Sequence, residues 1–593
     1  MWLFAVGAGC LLAAVFYVAG LKRAADRITF PGRSATPLTS YPGLEVVPSM
    51  SPDGSQVAFS WDGPTRNNFD IYFKLVGPGE PWPLTTNPAR DSKPAWSPDG
   101  RFIAFQRYVT PSTADVMVIP ALGGAERKIA SIVAEPWGMG LSRELSALAW
   151  TPDSQWLAFS SGPSNDEPQG IWVTSLDHLE TRRLTQSSGQ RGDLSPTFSH
   201  DGRRLAFIRE TTFSQSAVYV LPLSAGLMAA APPTPVTTAT SNVLGVAWTP
   251  DSRGLIFSSG GWLGMSRLET VTLEPAGVAP SGRPELLPFG EQATALSISR
   301  TGRLVYATQF RDTNLKRFDL SQPDQGAQAP ALASSTFDEH TPDFSSDGTR
   351  LAFASTRSGV EEIWISRADG SNPKQVTFTS GQQCSNPRWS PVDDRMILFD
   401  SRREGTADLY LLNVDTGELR RITSDPGEEV EPRWSRDGRA IYFGSTRTGR
   451  FEIWKMSAEG GEAVRITRNG GVAASESKDG KFLYYAKNSG APTSIWRVPV
   501  GGGQETPVLE GLSLSLNFVV ADRGLYFVAV GNAPEKTSLD FFDFGTGRRS
   551  TLLALGQRFW YGTALSPDQR TLLYSMVDAV GSNLMVIDGL ASR

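Results

Sequence analysis

The most regular polar position in this sequence lies three residues before a recurring proline. It is occupied by Glu45, Asp91, Asp193, Glu339 and Glu429, with Cys384 in the same place. Carboxylates repeated at one spacing converge when the units that carry them surround an axis, and converging carboxylates suit a hard cation or the lysines of a basic partner. A second recurrence competes for them. The pattern F-x-S-x-R-x-G occurs three times and supplies Arg357, Arg403 and Arg447, which are expected to pair with the acids between neighbouring units. Structural pairing therefore outweighs ligand binding at these positions. His340, beside Asp338, Glu339 and Asp343, is the one histidine in a polar cluster, and a lone histidine there is more often a surface residue than a catalyst.

Other chemistry is sparse. The sequence has no G-x-S-x-G nucleophile elbow, no P-loop, no dinucleotide fingerprint and no zinc pattern. The three histidines, His178, His200 and His340, are scattered, and of the two cysteines Cys10 lies in an apolar N-terminus and Cys384 reads as a small buried or half-buried thiol. No catalytic residue, cofactor or metal ligand is assigned, and the chain is expected not to be an enzyme. With a net charge of −5 and dispersed Lys and Arg, it lacks the basic footprint of a nucleic-acid binder, so no nucleic-acid partner is expected.

The acids and arginines ride on a repeat. "AWSPDG" (Ala95–Gly100) returns as "SMSPDG", "AWTPDS", "TFSHDG", "DFSSDG" and "RWSRDG", and counting worn forms such as "SISRTG" and "VVADRG" there are twelve copies. Ser-Pro-Asp-Gly is turn chemistry: proline presets φ, aspartate bonds back to the local backbone, and glycine accepts a positive φ. An apolar strand follows ("FIAF", "LAFAS", "IYFGS"), then one opening with an acid ("DIYF", "EIWI", "DLYL", "EIWK"), then one ending in a β-branched pair ("RRIT", "VRIT"). Four short antiparallel strands in every unit of 42 to 54 residues make a β-propeller blade. The recurring Trp96, Trp150, Trp248, Trp389 and Trp434 then belong to blade cores.

The phrase P-x-W-S-P-D-G followed by I-A-F-x-S, [DE]-I-[YW] and L-T resembles the WD40-like (PD40) repeat of the TolB-type propeller family, over nearly all of the chain after Thr36. The resemblance is specific for fold and unspecific for function. The expected fold class is all-β: two tandem six-bladed propellers, twelve four-stranded blades, after an N-terminal transmembrane helix. The expected boundaries are a transmembrane helix or signal anchor over 1–21, a linker over 22–35, a first propeller over 36–330 and a second over 331–593. "TPLTS" (Thr36–Ser40) would complete blade six and "ALASS" (Ala331–Ser335) blade twelve, leaving no bare edge. In this family's geometry the acids before each proline would stand near a channel mouth. The prolyl oligopeptidase family joins a similar propeller to a hydrolase domain, and no segment of this chain is left to form one.

Trp2–Leu21 is free of charge and, as a helix about 30 Å long, would span a bilayer. Lys22, Arg23 and Arg27 follow it, which taken alone would leave the remainder in the cytoplasm, while "VAG" at Val18–Gly20 would pass as a cleavage site. The preferred expectation is a membrane-anchored, extracytoplasmic propeller protein without catalysis that binds a protein or peptide through channel-mouth loops. It resembles the membrane and sensor part of bacterial winged-helix regulators. The alternatives are a periplasmic TolB-like component of envelope assembly or transport, and a propeller lyase or hydrolase with an unrecognised site. Function is to be sought where the copies differ.

Overall fold

The computed structural model describes residues 34–590 except 111, 135–146, 163–166, 188–191, 212–214, 239–241, 261–265, 275–276, 322–330, 334, 380–381, 491, 531–536 and 556–558. These residues form an all-β, propeller-like molecule of short antiparallel strands, most of them in four-stranded sheets that follow chain order. The repeat accounts for each sheet. The turn serine or threonine donates to the aspartate two residues on (Ser97 Oγ to Asp99 Oδ1, 2.6 Å; Ser345 Oγ to Asp347 Oδ1, 2.6 Å), and the following glycine sits at positive φ, as at Gly100 (76°) and Gly348 (70°). That fixes the hairpin between first and second strands.

The β-branched pair closes the far edge. In "QVTFT" the Thr377 hydroxyl accepts the N–H of Ile363 at 2.8 Å and donates to Glu362 Oε2 at 2.5 Å, which ties the fourth strand to the third. Thr85, Thr423 and Thr467 repeat the bond with Asp70, Asp408 and Glu452. The core lies between sheets. Ala58 and Ile71 of one sheet pack on Trp96, Ile103 and Phe105 of the next, and Ala352 and Ile363 pack on Cys384, Trp389 and Phe399. The tryptophans are thus core residues, as their spacing implied, and Trp150 and Trp248 also donate across sheets to Ala95 O (2.9 Å) and Thr197 O (3.0 Å).

First strands pack side by side. Glu45–Met50 meets Asp91–Trp96, then come Leu148–Trp150, Gly192–Phe198, Asn242–Trp248 and Ala293–Ile298, and the last of these returns to Glu45–Met50. A second cycle runs through Glu339–Phe344, Cys384–Trp389, Glu429–Trp434, Val472–Glu476, Phe518–Val520 and Phe559–Leu565, and it too comes back to its start. We refer to these as the N-terminal and C-terminal sets.

Two long strands join the sets. Leu304–Asp319 and Thr571–Ile587 pair antiparallel from Leu304↔Ile587 to Asp319↔Thr571. One end of this ribbon supplies the second and third strands of an N-terminal sheet, flanked by Ala293–Ile298 and by Thr36–Pro37. The other end supplies those of a C-terminal sheet, flanked by Phe559–Leu565 and Ala331–Ala333. "TPLTS" and "ALASS" therefore complete the sheets expected of them, but the third strands are exchanged: 582–587 lies in the N-terminal set and 313–319 in the C-terminal one. A register shift at Asp312/Thr313 marks the crossing, where Asp578 accepts from Lys316 Nζ (2.7 Å) and Asn314 Nδ2 (2.8 Å). Among the described residues no helix is long and apolar enough to cross a membrane. The expected transmembrane helix over 1–21 lies outside the described residues.

Candidate functional site

The acids three residues before each proline are buried and paired. Arg107 grips Asp91 through Nε (2.8 Å) and Nη2 (2.7 Å), and Arg209 grips Asp193 at 2.6 and 2.9 Å. Arg357 Nε donates to Glu339 at 3.0 Å and Arg447 Nη2 to Glu429 at 3.3 Å. Glu45 has no such arginine. It accepts from the Thr39 hydroxyl and the Tyr41 N–H, and burial pushes its carboxyl up to about 7. The pairs form within one sheet, not between neighbours as the sequence suggested. The antiparallel register sets Glu339 opposite Ser355 and Glu429 opposite Ser445, so an arginine two residues beyond the serine folds back on the acid of its own hairpin. Where Cys384 replaces the acid, its thiol meets Ser401 Oγ at 3.4 Å and Arg403 is exposed.

Two residues further along each first strand the backbone does something the sequence did not announce. The ladder skips residues between His340 and Asp343, Ser385 and Arg388, and Val430 and Arg433, and the residue before each proline takes a left-handed conformation: Thr341 (φ 50°), Asn386 (56°) and Glu431 (53°). The same skip occurs without a proline at Val472/Ala474, where Ala473 has φ 53°, so the bulge belongs to the repeat, and a proline, lacking a ladder donor, is tolerated at its unpaired position. Each non-glycine residue held so costs about 1 kcal/mol. The bulges bring these three residues into the wall of one chamber.

This chamber, about 120 Å³, lies in the C-terminal set. His340, Glu361, Asp400, Arg402, Glu428 and Glu431 supply its charge, and Val430, Val472, Leu516, Phe451, Trp560 and Tyr561 its apolar surface. Glu361 accepts from the Ser385 hydroxyl and from Gln383 Nε2 (2.5 Å), Asp400 from Asn386 Nδ2 (2.8 Å) and the Glu431 N–H (3.1 Å), and Glu428 from Arg402 Nη2 (3.3 Å) and the Ala407 N–H (3.2 Å). Four side-chain atoms of the lining remain open, two of them the donors Arg402 Nε and Trp560 Nε1. Glu431 takes the Ser515 hydroxyl on one oxygen (2.9 Å), while its Oε2 is buried without a hydrogen-bond partner. His340, 3% exposed, has an Nε2 that is likewise unsatisfied, 3.4 Å from Glu361 Oε1.

Electrostatics follow from that crowding. Burial drives the carboxyl of Glu361 up to about 8, Glu431 up to about 7 and Asp400 up to about 6, and drives the His340 ring down to about 4, so the histidine is neutral. Behind the chamber, Arg388 and Arg433 flank Asp343; burial and their mutual repulsion hold Arg433 down to about 9. No group of three His, Cys, Asp or Glu is arranged to hold a metal ion among the described residues.

The equivalent region of the N-terminal set is composed differently: Leu44, Val46, Val47, Phe69 and Ala295 cluster there, together with buried polar residues, Lys93 and Ser195 at the bulges and Ser92 opposite Gln106. A second cavity there, about 170 Å³, is walled by Trp96, Trp150, Trp248, turn prolines and His200, and none of its polar lining atoms is buried without a partner. Of the site residues singled out from sequence, only His340 lines the chamber. Glu361 and Glu428 were hidden as neighbours of the signature acids Glu362 and Glu429. Asp400 carried a readable signal: it stands where the sister copies have Ala354 and Gly444.

Comparison with known proteins agrees with this architecture. Residues 293–514 match the PD40 TolB beta propeller domain, and the chain carries TolB-type propeller repeats. A stretch of 107 residues is 38% identical to the uncharacterized peptidase YuxL of Bacillus subtilis, covering 16% of this chain and 16% of that protein. Another of 86 residues is 35% identical to the Tol-Pal system protein TolB of Desulfosudis oleivorans, covering 14% of this chain and 19% of TolB. The matches thus span less than a fifth of either relative. The solved structure of a putative TolB from Agrobacterium tumefaciens aligns over 45% of this chain and 99% of its own, at 22% identity and a TM-score of 0.38.

Proposed function

We propose that this chain is a non-catalytic, TolB-like double propeller, two rings of six four-stranded blades, that binds a protein or peptide partner at the chamber of its C-terminal ring. In this reading the bulk of the chain is extracytoplasmic, residues 1–21 anchor it to the membrane, and it serves as the sensor or scaffold part of a bacterial regulatory or envelope system. The two cycles of first strands support the ring count, and the Tol-Pal relatives favour the envelope.

The observation that carries the binding role is the chamber's unfinished chemistry: Glu431 Oε2 and His340 Nε2 are buried and unsatisfied beside an apolar wall, at backbone held under strain. Buried polar atoms are normally paired, and sites that wait for a ligand are where exceptions gather. A hydrolytic reading, suggested by the YuxL name, is disfavoured by the same geometry. Ser385 and His340 both address Glu361, and a carboxyl raised to about 8 makes a poor base for serine at neutral pH.

The test uses the full chain as bait on solubilised membranes, beside Ser489→Trp, which places a large ring at a half-buried residue of the chamber lining. A partner held by the parent chain and lost with the variant is expected. Equal retention by both sinks the assignment of the chamber.

A further inference from the structure

We infer that the chamber of the C-terminal set is a receptor for a primary ammonium group on an alkyl stem, a lysine side chain presented by the partner. The inference rests on the reading of the chamber as a partner site and specifies what enters it.

Charge is the first argument. Glu361, Asp400, Glu428 and Glu431, with Asp343 behind them, set five carboxyls against the three guanidiniums of Arg402, Arg388 and Arg433; Arg311 is spent on Asp338, which it grips at 2.8 Å through both nitrogens. The enclosure is short of positive charge. Carboxyls buried without enough counter-charge hold protons, and the raised values at Glu361 and Glu431 have that cause.

Hydrogen-bond demand is the second. With Nδ1–H turned to Thr341 Oγ1, 3.4 Å away, His340 Nε2 offers a lone pair, and Glu431 Oε2 offers another. Glu361 Oε1, 3.4 Å from the imidazole and already accepting from the Ser385 hydroxyl, becomes the third acceptor once the carboxyl gives up its proton. Acceptors from three separate residues match the three N–H bonds of an ammonium. A guanidinium asks instead for a paired, coplanar fork.

Shape is the third. A chamber of about 120 Å³ holds roughly four waters' worth of volume, enough for the tip of a lysine. Val430, Val472, Phe451 and Leu516 give its methylenes an apolar wall. A bare metal ion would leave that wall unused.

Calorimetry on the full chain tests this with three pentapeptide amides, alike except for a central lysine, Nε-acetyl-lysine or arginine. The lysyl peptide is expected to bind at least about tenfold more tightly than either of the others, with Glu431→Gln or His340→Ala each removing about tenfold. Because an arriving cation displaces protons from the carboxyls, the heat should vary with buffer ionisation enthalpy and affinity should rise from pH 6 to pH 8. Equal binding of the acetylated peptide, a preference for arginine, or no binding by any peptide overturns the inference. If the lysyl peptide fails while Ser489→Trp still releases the membrane partner, the chamber remains the partner site and only its cation chemistry is wrong.

Discussion

Asp193 is fully buried, and what keeps a carboxylate there is the double grip of Arg209 on both its oxygens. Removing one side of such a pair strands the other charge, so Arg209→Ala should cost ~3–5 kcal/mol, seen as a lower urea midpoint. Replacing both partners by apolar residues of similar volume, Asp193→Leu with Arg209→Met, should recover most of that loss. A double variant no better than the single one would show that the pair does more than neutralise itself. Glu361 behaves differently because its partners, Ser385 and Gln383, are uncharged. Its carboxyl, held at about 8 against an ordinary 4.5, keeps a proton in the folded chain that the unfolded chain has released. That contribution is complete below pH 4.5 and disappears as pH rises through 8. His340 works the opposite way, since its ring is held at about 4 against 6.5: its contribution is complete above 6.5 and is lost as pH falls through 4. Glu361→Gln should therefore flatten the decline of stability between pH 5 and 8 by up to about one proton and leave the acid limb unchanged. Parallel melting profiles for parent and variant across that range would refute the assignment.

At the scale of the strand, the signature threonine is the fastening of each sheet. Thr377→Val removes the acceptor for the Ile363 N–H and a donor to buried Glu362, a change worth ~1–3 kcal/mol, and exchange at the Ile363 amide should quicken while Thr377→Ser restores protection. The innermost strands close where Gly562 (φ 107°) lies against Thr341, and a Cβ there would stand 2.4 Å from Thr341 Cα. Turns, sheet order and tryptophan core were legible in the sequence because each is written as a local pattern: Ser-x-Asp-Gly, an acid opening the third strand, a threonine ending the fourth. The bulges were not legible, since a proline inside a strand reads only as an interruption and the register shift depends on what the second strand offers opposite. The chamber was half legible. His340 stood out by type, but Glu431 and Asp400 gain meaning only once the bulges bring three sheets' residues to one wall. The acids that stood out by regularity proved to be the hairpins' own fastenings, and the departures from regularity mark the site.

Across the whole molecule, the consequence lies in the shared ribbon. "NLKRFDL" and "SNLMVIDG" both read as third strands, and nothing local tells which second strand each will join, because an antiparallel pair offers the same ladder from either side. The chain settles it by making each third strand the continuation of the other set's second strand. Neither proposed ring is then complete without the other: Ser582–Ile587, at the far end of the sequence, lies between Leu304–Gln309 and Thr36–Pro37. A chain ending at Gly581 keeps every residue of the C-terminal set's ribbon, 571–577 and 313–319, yet strips the central strand from an N-terminal sheet. About six ladder bonds at ~0.5–1 kcal/mol each are lost there, so amide exchange over Leu304–Phe310 should accelerate at least ~100-fold. Glu45–Met50, which packs on that sheet, should lose protection as well, while Glu339–Phe344 and Cys384–Trp389 keep theirs. Thermal unfolding should change from one transition to two, the earlier one belonging to the N-terminal set even though the deletion lies at the C-terminus. If instead the C-terminal set loosens first, or both halves keep full protection, the ribbon is a tether and the rings fold alone.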